Sequence, residues 1–364
     1  MRIGIFFGGL SREREISFAG GRTVYDNLDK NLFEAVPIFV DSVGNFIHLD
    51  WQYIYKGTIR DFYPPVGFIP ETNPPFQIYV ESLGQLGEEQ INALCGSVGK
   101  RILPSDFKNL FDVAFLALHG PYGEDGNIQG ILEWYGLPYT GSGILPSAIG
   151  ISKTAQQVLM RQAGFNRPKN VVISKKEIFE GNVTALFENI KRQLGFPFVV
   201  KSPNQGSSLG VTILKHDSVE EFVKAAYKSF FMLKVEKPEW LNYTEEQKYI
   251  LIRDMADIRV GIGLPVKVGN QVLFHPFEVL NSLNHTFGST SDSSVLIESI
   301  DTEEQLLLEQ LISGKEFSCI VVEDENDKAI ALPPTEIIKG TDLFDYRSKY
   351  LPGMSRKVTP INLP

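Results

Sequence analysis

Residues 196–214 read FPFVVKSPNQGSSLGVTIL. Lys201 closes an apolar run, Gly206 and Gly210 bracket Ser207 and Ser208, and a second β-rich run follows at once. The pattern predicts a strand, a glycine loop and a second strand. A P-loop carries its lysine after the glycines and opens a helix. Here the lysine comes first and a strand follows, so that nucleotide-binding class is excluded. A glycine hairpin between antiparallel strands can instead fold over phosphates as a lid. Gly206 and Gly210 permit close backbone approach. Ser207 and Ser208 offer N–H and hydroxyl donors, and Lys201 offers a point charge from the strand below. The alternative is a solvated hairpin turn, and the stretch by itself leaves both open.

Working outward, VTALFENIKRQLG (183–195) predicts a helix closed by its terminal glycine, and PKNVVIS (168–174) predicts a strand. SAIGISKTAQQVLMRQAG (147–164) reads as one helix closed by Gly164. Residues 217–229 read as helix. EEQLLLEQLISGKEFSCIVVED (303–324) reads as strand, turn and strand, and KAIALPPTEI (328–337) as one more strand. Between them, 230–300 reads as an insertion. KPEWLNYTEEQKYILIRDMADI (237–258) is partly helical, and NSLNHTFGSTSDSS (281–294) is polar loop. The tail from Phe344 onward is loop-like.

The first stretch alternates differently. RIGIFFGG (2–9) predicts a strand and tight turn, SREREISFAGGRTVYDNL (11–28) a helix, and AVPIFV (35–40) a second strand. Residues 45–110 read as an elaboration of loops and short helices. FDVAFLALHG (111–120) is a buried strand ending in a turn. Strand, helix, strand in this order predicts a parallel sheet covered by helices, with ligands at the carboxyl ends of its strands. Pro and Gly concentrate in LPYTGSGILPS (137–147), which marks a boundary.

A chain of 364 residues is too long for one small core and predicts two or three domains. The net charge of −9 argues against nucleic-acid binding. Two distant cysteines, Cys95 and Cys319, supply neither a disulfide framework nor a metal-ligand spacing, which fits a reducing cytosol. No apolar run predicts a membrane span or signal peptide.

Four further clusters carry ionisable groups. HGPYGEDGNIQG (119–130) sets His119, Glu124 and Asp125 among glycines after a buried strand, which favours a site over a plain polar turn. GGLSRERE (8–15) places Glu13 and Glu15 at a helix start, where acids also satisfy the dipole. LLLEQLISGKEF (306–317) puts Glu309 and Glu316 around a turn. FDYRSKYLPGMSRK (344–357) gathers Arg347, Lys349, Arg356 and Lys357 with Tyr346 and Tyr350, a composition suited to a lid over polyphosphate or to a solvated loop.

Together and in order, FFGGLSREREIS, LHGPYGEDGNIQGILEWYGLPYTGSG, SAIGISK, FPFVVKSPNQGSSLGV, LLLEQLISGKEFS and LFDYRSKY resemble the D-alanine–D-alanine ligases of the ATP-grasp superfamily. The resemblance runs from residue 3 to about 350, broken at 45–110 and 230–300. It implies an N-terminal parallel α/β (pre-ATP-grasp) domain over 1–145 and a central ATP-grasp subdomain over 146–308. A C-terminal subdomain would begin at 309–364, with a mobile loop at about 339–357. It also implies ATP-dependent joining of two D-alanines through an acyl phosphate, for peptidoglycan precursors, by a cytoplasmic homodimer that binds no nucleic acid and no membrane.

The implied roles attach to matching positions. Glu13 would hold the first D-alanine ammonium and His119 would lie near its carboxylate. Lys153, Lys201, Lys349 and the loop of Ser207 and Ser208 would bind ATP, with Ser208 facing phosphate mainly through its backbone; Ser207 would link the glycine loop to the mobile loop and, with Glu13 and Tyr350, be catalytic. Glu309, Gln310, Leu311 and Glu316 would receive adenine and ribose. Tyr350 would meet Ser207 and Glu13 when the mobile loop closes. Three departures stand out. Ser152-Lys153 replaces Asp-Lys and Gln157 replaces a helix lysine. Ser202 replaces the proline after Lys201. The family's Mg²⁺ ligands, an Asp and a Glu-x-Asn pair, belong past the mobile loop, and no Glu-x-Asn follows Tyr350 here. The expectation is therefore an ATP-grasp domain incomplete at its C-terminus, with its Mg²⁺ ligands past residue 364. Two alternatives are a non-catalytic nucleotide- or D-alanine-binding fragment and a D-alanine–D-lactate ligase.

Overall fold

The computed structural model describes residues 1–70, 76–339 and 355–362. Its first unit opens with β1 (Arg2–Gly8), α1 (Arg14–Asn27), β2 (Glu34–Val40) and β3 (Phe46–Leu49). It continues through α2 (Glu88–Gly96), β4 (Gly99–Ile102), α3 (Phe107–Leu110), β5 (Val113–Leu116) and α4 (Asn127–Trp134). The strands are ordered β4-β3-β2-β1-β5. β1 runs parallel to β2 and β5, while β3 and β4 join antiparallel at one edge. β1 is buried on both faces, because alternate residues point to opposite sides of a strand. Ile3, Ile5 and Phe7 enter one core and Phe6 the other.

The parallel centre follows the expectation from the sequence; the antiparallel edge is additional. Residues 45–110 contribute β3 and β4, four residues each, which is too short for a period-2 pattern to stand out. Because β1 and β5 are parallel neighbours, their carboxyl-end loops, 9–13 and 117–126, open side by side. Gly8, at φ +90°, lets β1 turn there, since a Cβ on it would lie 2.4 Å from the Val40 carbonyl oxygen.

The second unit begins with α5 (Ile144–Ile151) and α6 (Lys153–Gln162). These are two helices where the sequence read one. Ser152 leaves the helical region (φ −84°, ψ 98°) and its hydroxyl accepts from the Ala155 N–H, capping α6. There follow β6 (Asn170–Ser174), α7 (Lys175–Phe179), α8 (Val183–Leu194), β7 (Phe198–Lys201), β8 (Thr212–Leu214) and α9 (Val219–Ser229).

The stretch 230–300 then builds a sheet of its own. It contains β9 (Met232–Glu236), α10 (Lys237–Asn242), α11 (Glu245–Ala256), β10 (Val266–Val268), β11 (Gln271–Leu273), α12 (Pro276–Ser289) and β12 (Ser294–Ser299). The order is β11-β10-β12-β9, all antiparallel. α12 corrects the expected polar loop at 281–294. His275, Pro276 and Glu278 cap its start. Val279, Leu280, Leu283 and Phe287 form a buried stripe, while its Asn, Ser and Thr residues mask the periodicity. The core beneath this sheet also takes in Phe76 and Ile78 from the first unit and Leu209 from the glycine loop.

β13 (Gln305–Gln310) returns to pair between β6 and β7, giving the antiparallel order β6-β13-β7-β8. Beyond it lie β14 (Glu316–Ser318), β15 (Val321–Glu323), β16 (Ala329–Ala331), β17 (Thr335–Lys339) and β18 (Ser355–Val358). Pro333-Pro334 splits the single strand expected at 328–337, since proline cannot donate to a ladder. Ser355–Val358 is strand rather than loop, paired with β17. Among the described residues no helix is long and apolar enough to cross a membrane.

Candidate active site

Glu13 stands at the amino end of α1 and is 3% exposed. Two glycines from separate units press on its carboxylate. A Cβ on Gly120 would lie 2.7 Å from Glu13 Oε2, and a Cβ on Gly206 would lie 2.3 Å from the same atom. Any side chain at either position would displace the carboxylate or the backbone. The Ser207 hydroxyl donates to Glu13 Oε1. The glycine loop is thus seated on an acid of the first unit.

The loop's own backbone is strained. Ser207, Ser208 and Gly210 take φ values of +48°, +59° and +67°. For the two serines this conformation costs on the order of 1–2 kcal/mol each. Contacts on every side hold it. Lys153 Nζ donates to the Gln205 carbonyl at 2.5 Å and to the Pro203 carbonyl at 3.4 Å. Asn204 Nδ2 donates to Glu303 Oε2 at 3.1 Å. Burial raises the Glu303 carboxyl above its ordinary range, although the Asn204 and Gln205 donors and the charge of Lys153 pull the other way. Ser202 Oγ donates to the Ser229 carbonyl at 2.5 Å, and Ser229 Oγ to the Gly210 carbonyl at 2.6 Å. The serine that replaces proline after Lys201 therefore ties the loop to the end of α9.

Below the loop, Lys201 pairs with Glu309 Oε2. Lys201 sits opposite Leu307 in the β7–β13 register, so Glu309 is its diagonal neighbour on the same face. Gln157 Nε2 donates to Glu309 Oε1 at 2.7 Å, and Asn170 Nδ2 donates to Gln157 Oε1 at 3.0 Å. Gln157, where the resemblance implies a lysine, thus shares the Glu309 carboxylate with Lys201.

The model of the D-ala D-ala ligase N-terminus matches residues 2–142, and that of the D-ala D-ala ligase C-terminus matches residues 159–272 and 290–364. The chain belongs to the D-ala D-ala ligase family. The D-alanine–D-alanine ligase of Pelotomaculum thermopropionicum is 26% identical over 365 residues, an alignment spanning 100% of this chain and 73% of that protein. The D-alanine–D-alanine ligase of Geobacillus thermodenitrificans is 33% identical over 228 residues, 62% of this chain and 57% of its own.

Solved relatives share the fold. VanG D-Ala:D-Ser ligase from Enterococcus faecalis superposes with a TM-score of 0.57 at 21% identity, over 100% of this chain and 77% of that one. The D-alanine–D-alanine ligase of Bacillus anthracis gives 0.51 at 23% identity, over 100% and 73%. The α/β first unit followed by the antiparallel sheets is therefore a D-Ala ligase ATP-grasp arrangement.

Within this ligase-family fold, His119 lies in the loop after β5, half-buried beside Gly120. Its carbonyl accepts from Ser11 Oγ at 2.6 Å, and it borders a cavity of about 260 Å³ with Gly9, Leu10 and Tyr122. Glu124 and Asp125 are occupied by their own turn. Glu124 accepts from the Gly120 N–H at 2.7 Å, and Asp125 from the Tyr122 N–H at 2.7 Å and the Asn127 N–H at 3.1 Å. Gln310 ends β13, its N–H bonded to the Lys169 carbonyl, and Leu311 follows it. Glu316 opens β14 opposite Ile337, in a different sheet from Glu309. Lys349 and Tyr350 lie outside the described residues. Among the described residues no three His, Cys, Asp or Glu side chains converge on one point. No step is assigned to Mg²⁺.

Sequence reasoning missed the arginines around Glu13. Arg14 forms a buried pair with Glu81 at 2.6 Å. Glu15 pairs with Arg60 at 2.6 Å, and Arg259 of the inserted stretch reaches within 4.0 Å of it. Arg12 is buried beneath the inserted sheet. The alternating SRERE text signals charge at a helix start, but the partners lie up to 287 residues away in sequence.

Proposed function

We propose that the chain joins two D-alanines into D-alanyl-D-alanine in an ATP-dependent reaction through an acyl phosphate, as a step toward peptidoglycan. The observation that carries this reading is Glu13, clamped between Gly120 and Gly206 and bonded by Ser207. One carboxylate thus meets the substrate end of the first unit and the loop expected to cover phosphate. Glu13 would hold the amino group of the first D-alanine, with His119 toward its carboxylate. The Lys153 ammonium, Lys201 and the backbone N–H groups of Ser207 and Ser208 would hold the phosphates of ATP, while the Ser207 hydroxyl stays on Glu13. Glu309, Gln310, Leu311 and Glu316 would meet its base and sugar. ATP, when bound, supplies the phosphoryl group that activates an otherwise poor acyl donor. The chain's own contribution is charge, orientation and exclusion of water.

The division into 1–145, 146–308 and 309–364, the homodimer through the first unit and a cytoplasmic place of action belong to the same proposal. So do Lys349 and Tyr350 as the closing end of the loop expected after β17, which β18 bounds at Ser355. The test is phosphate release by the 364-residue chain on adding D-alanine and ATP with Mg²⁺. Release that depends on D-alanine supports ligation. Nucleotide binding without release supports a binding fragment. Faster turnover with D-lactate as second substrate supports the depsipeptide alternative.

A further inference from the structure

Arg12 begins in the first unit and ends in the inserted one. Its backbone lies between Ser11, which holds the His119 carbonyl, and Glu13. Its side chain runs away from both, and the residue is 8% exposed. Nη2 donates to the Ile262 carbonyl at 2.7 Å and to Ser299 Oγ at 3.0 Å. The guanidinium lies over the Phe231 ring, 4.0 Å from its centroid. Nη1 has no hydrogen-bond partner among the described residues, and it sits 3.1 Å from where a Cβ on Gly263 would stand. Burial lowers the guanidinium pKa to about 10, so the group stays charged at neutral pH.

Phe231 carries this contact onward. It follows α9 in the left-handed region at φ +57°, a conformation a bulky residue holds only where its surroundings fix it. Its Cζ lies 3.3 Å from where a Cβ on Gly210 would stand, and it shares a core with Leu209. One ring thus touches the glycine loop and Arg12 together, and the next residue along from Arg12 is Glu13.

We propose that Arg12 is a positioning residue which, through Phe231, holds the glycine loop in register with Glu13, using the β9–β12 sheet as its frame. A buried, charged and hydrogen-bonded guanidinium has one place to sit. Fixing it fixes the distance between an acid of the first unit and a loop of the second. The meaning of that distance for turnover rests on the ligase reading; the mechanical coupling does not.

Hydrogen–deuterium exchange on the 364-residue protein tests it. Arg12→Met keeps an apolar chain of similar reach and deletes the charge, both hydrogen bonds and the guanidinium contact with Phe231. Amides of residues 204–211 are expected to exchange about tenfold faster, while β9 and β12 keep their protection. Unchanged exchange at 204–211 overturns the proposal. If Arg12→Met loosens the sheet as well, Arg12→Lys decides, because a single ammonium cannot serve Ile262 and Ser299 in the same way. A loosened loop over a protected sheet in Arg12→Lys supports the proposal. Equal loosening of sheet and loop in both variants, or a loop unchanged in Arg12→Lys, overturns it. A wild-type chain that released no phosphate would count against the ligase reading and leave the exchange result standing.

Discussion

Two glycine-rich loops in this chain look alike as text and differ in what holds them. The loop at 119–126 is held mainly by its own carboxylates, Glu124 and Asp125, which take up its backbone N–H groups, with Ser11 and Gln129 each donating to one of its carbonyls. The loop at 202–211 is held from outside by Lys153, Glu13, Glu303 and Ser229, and by the apolar core that accepts Leu209. A loop held mostly by its own side chains keeps its shape when a neighbour moves. A loop satisfied by four other elements reports their positions, which suits a cover over a reaction chamber. Substitutions that exploit this difference should be costly at the second loop through turnover and at the first through stability.

The largest effect is expected from Gly206→Ala. Its Cβ would sit 2.3 Å from Glu13 Oε2 and must push the loop off the carboxylate. A displacement approaching about 1 Å in a positioned site costs on the order of 100-fold in kcat/KM. Steady-state phosphate release measures it. A variant within a few-fold of wild type would mean that the seating on Glu13 has no part in the chemistry.

Ser207→Ala comes next. It removes the hydroxyl that donates to Glu13 and leaves the backbone N–H groups in place. A hydrogen bond to a charged group contributes about 1.5–3 kcal/mol, or roughly 10- to 100-fold. The loss is expected in kcat, with nucleotide affinity nearly unchanged. Equal losses in both would place Ser207 on the phosphates instead of on the acid.

The contrast between the loops also explains how much was legible in the sequence. The β7–β8 hairpin follows from Lys201 ending an apolar run and from β-branched residues resuming after Gly210, because strand periodicity and turn composition are local signals. The first strand and its helix were legible for the same reason. The inserted sheet was not: β10 and β11 are three residues each, and the polar face of α12 hid its buried stripe. Glu124 and Asp125 looked like site residues because composition cannot distinguish a carboxylate that caps its own turn from one that awaits a ligand. Arg12 was invisible as a positioning group because its partners, Ile262 and Ser299, are contacts of the fold and not of the text.

At the self-held loop, Asp125→Ala removes the acceptor for the Tyr122 and Asn127 N–H groups. Loss of a side-chain acceptor at a turn entering a helix costs about 1–2 kcal/mol. Thermal unfolding should register that loss while turnover per folded molecule stays near wild type. A large fall in turnover with unchanged stability would return Asp125 to the site.

The smallest effect is expected at Glu303, and its sign tells whether burial or the Lys153 charge governs that carboxyl. Burial raises the carboxyl pKa above the ordinary 4.5, so the folded chain holds that proton more tightly than the unfolded chain does. Between the ordinary value and the raised one the folded state carries more protons, and stability falls as pH rises. Glu303→Gln keeps an oxygen to accept from Asn204 and carries no charge. Its stability relative to wild type should therefore improve as pH climbs from about 4.5 toward neutrality, then level off. Denaturant unfolding of both proteins across that range reads the difference directly. A Glu303→Gln variant less stable than wild type at neutral pH would show that the nearby Lys153 charge outweighs burial.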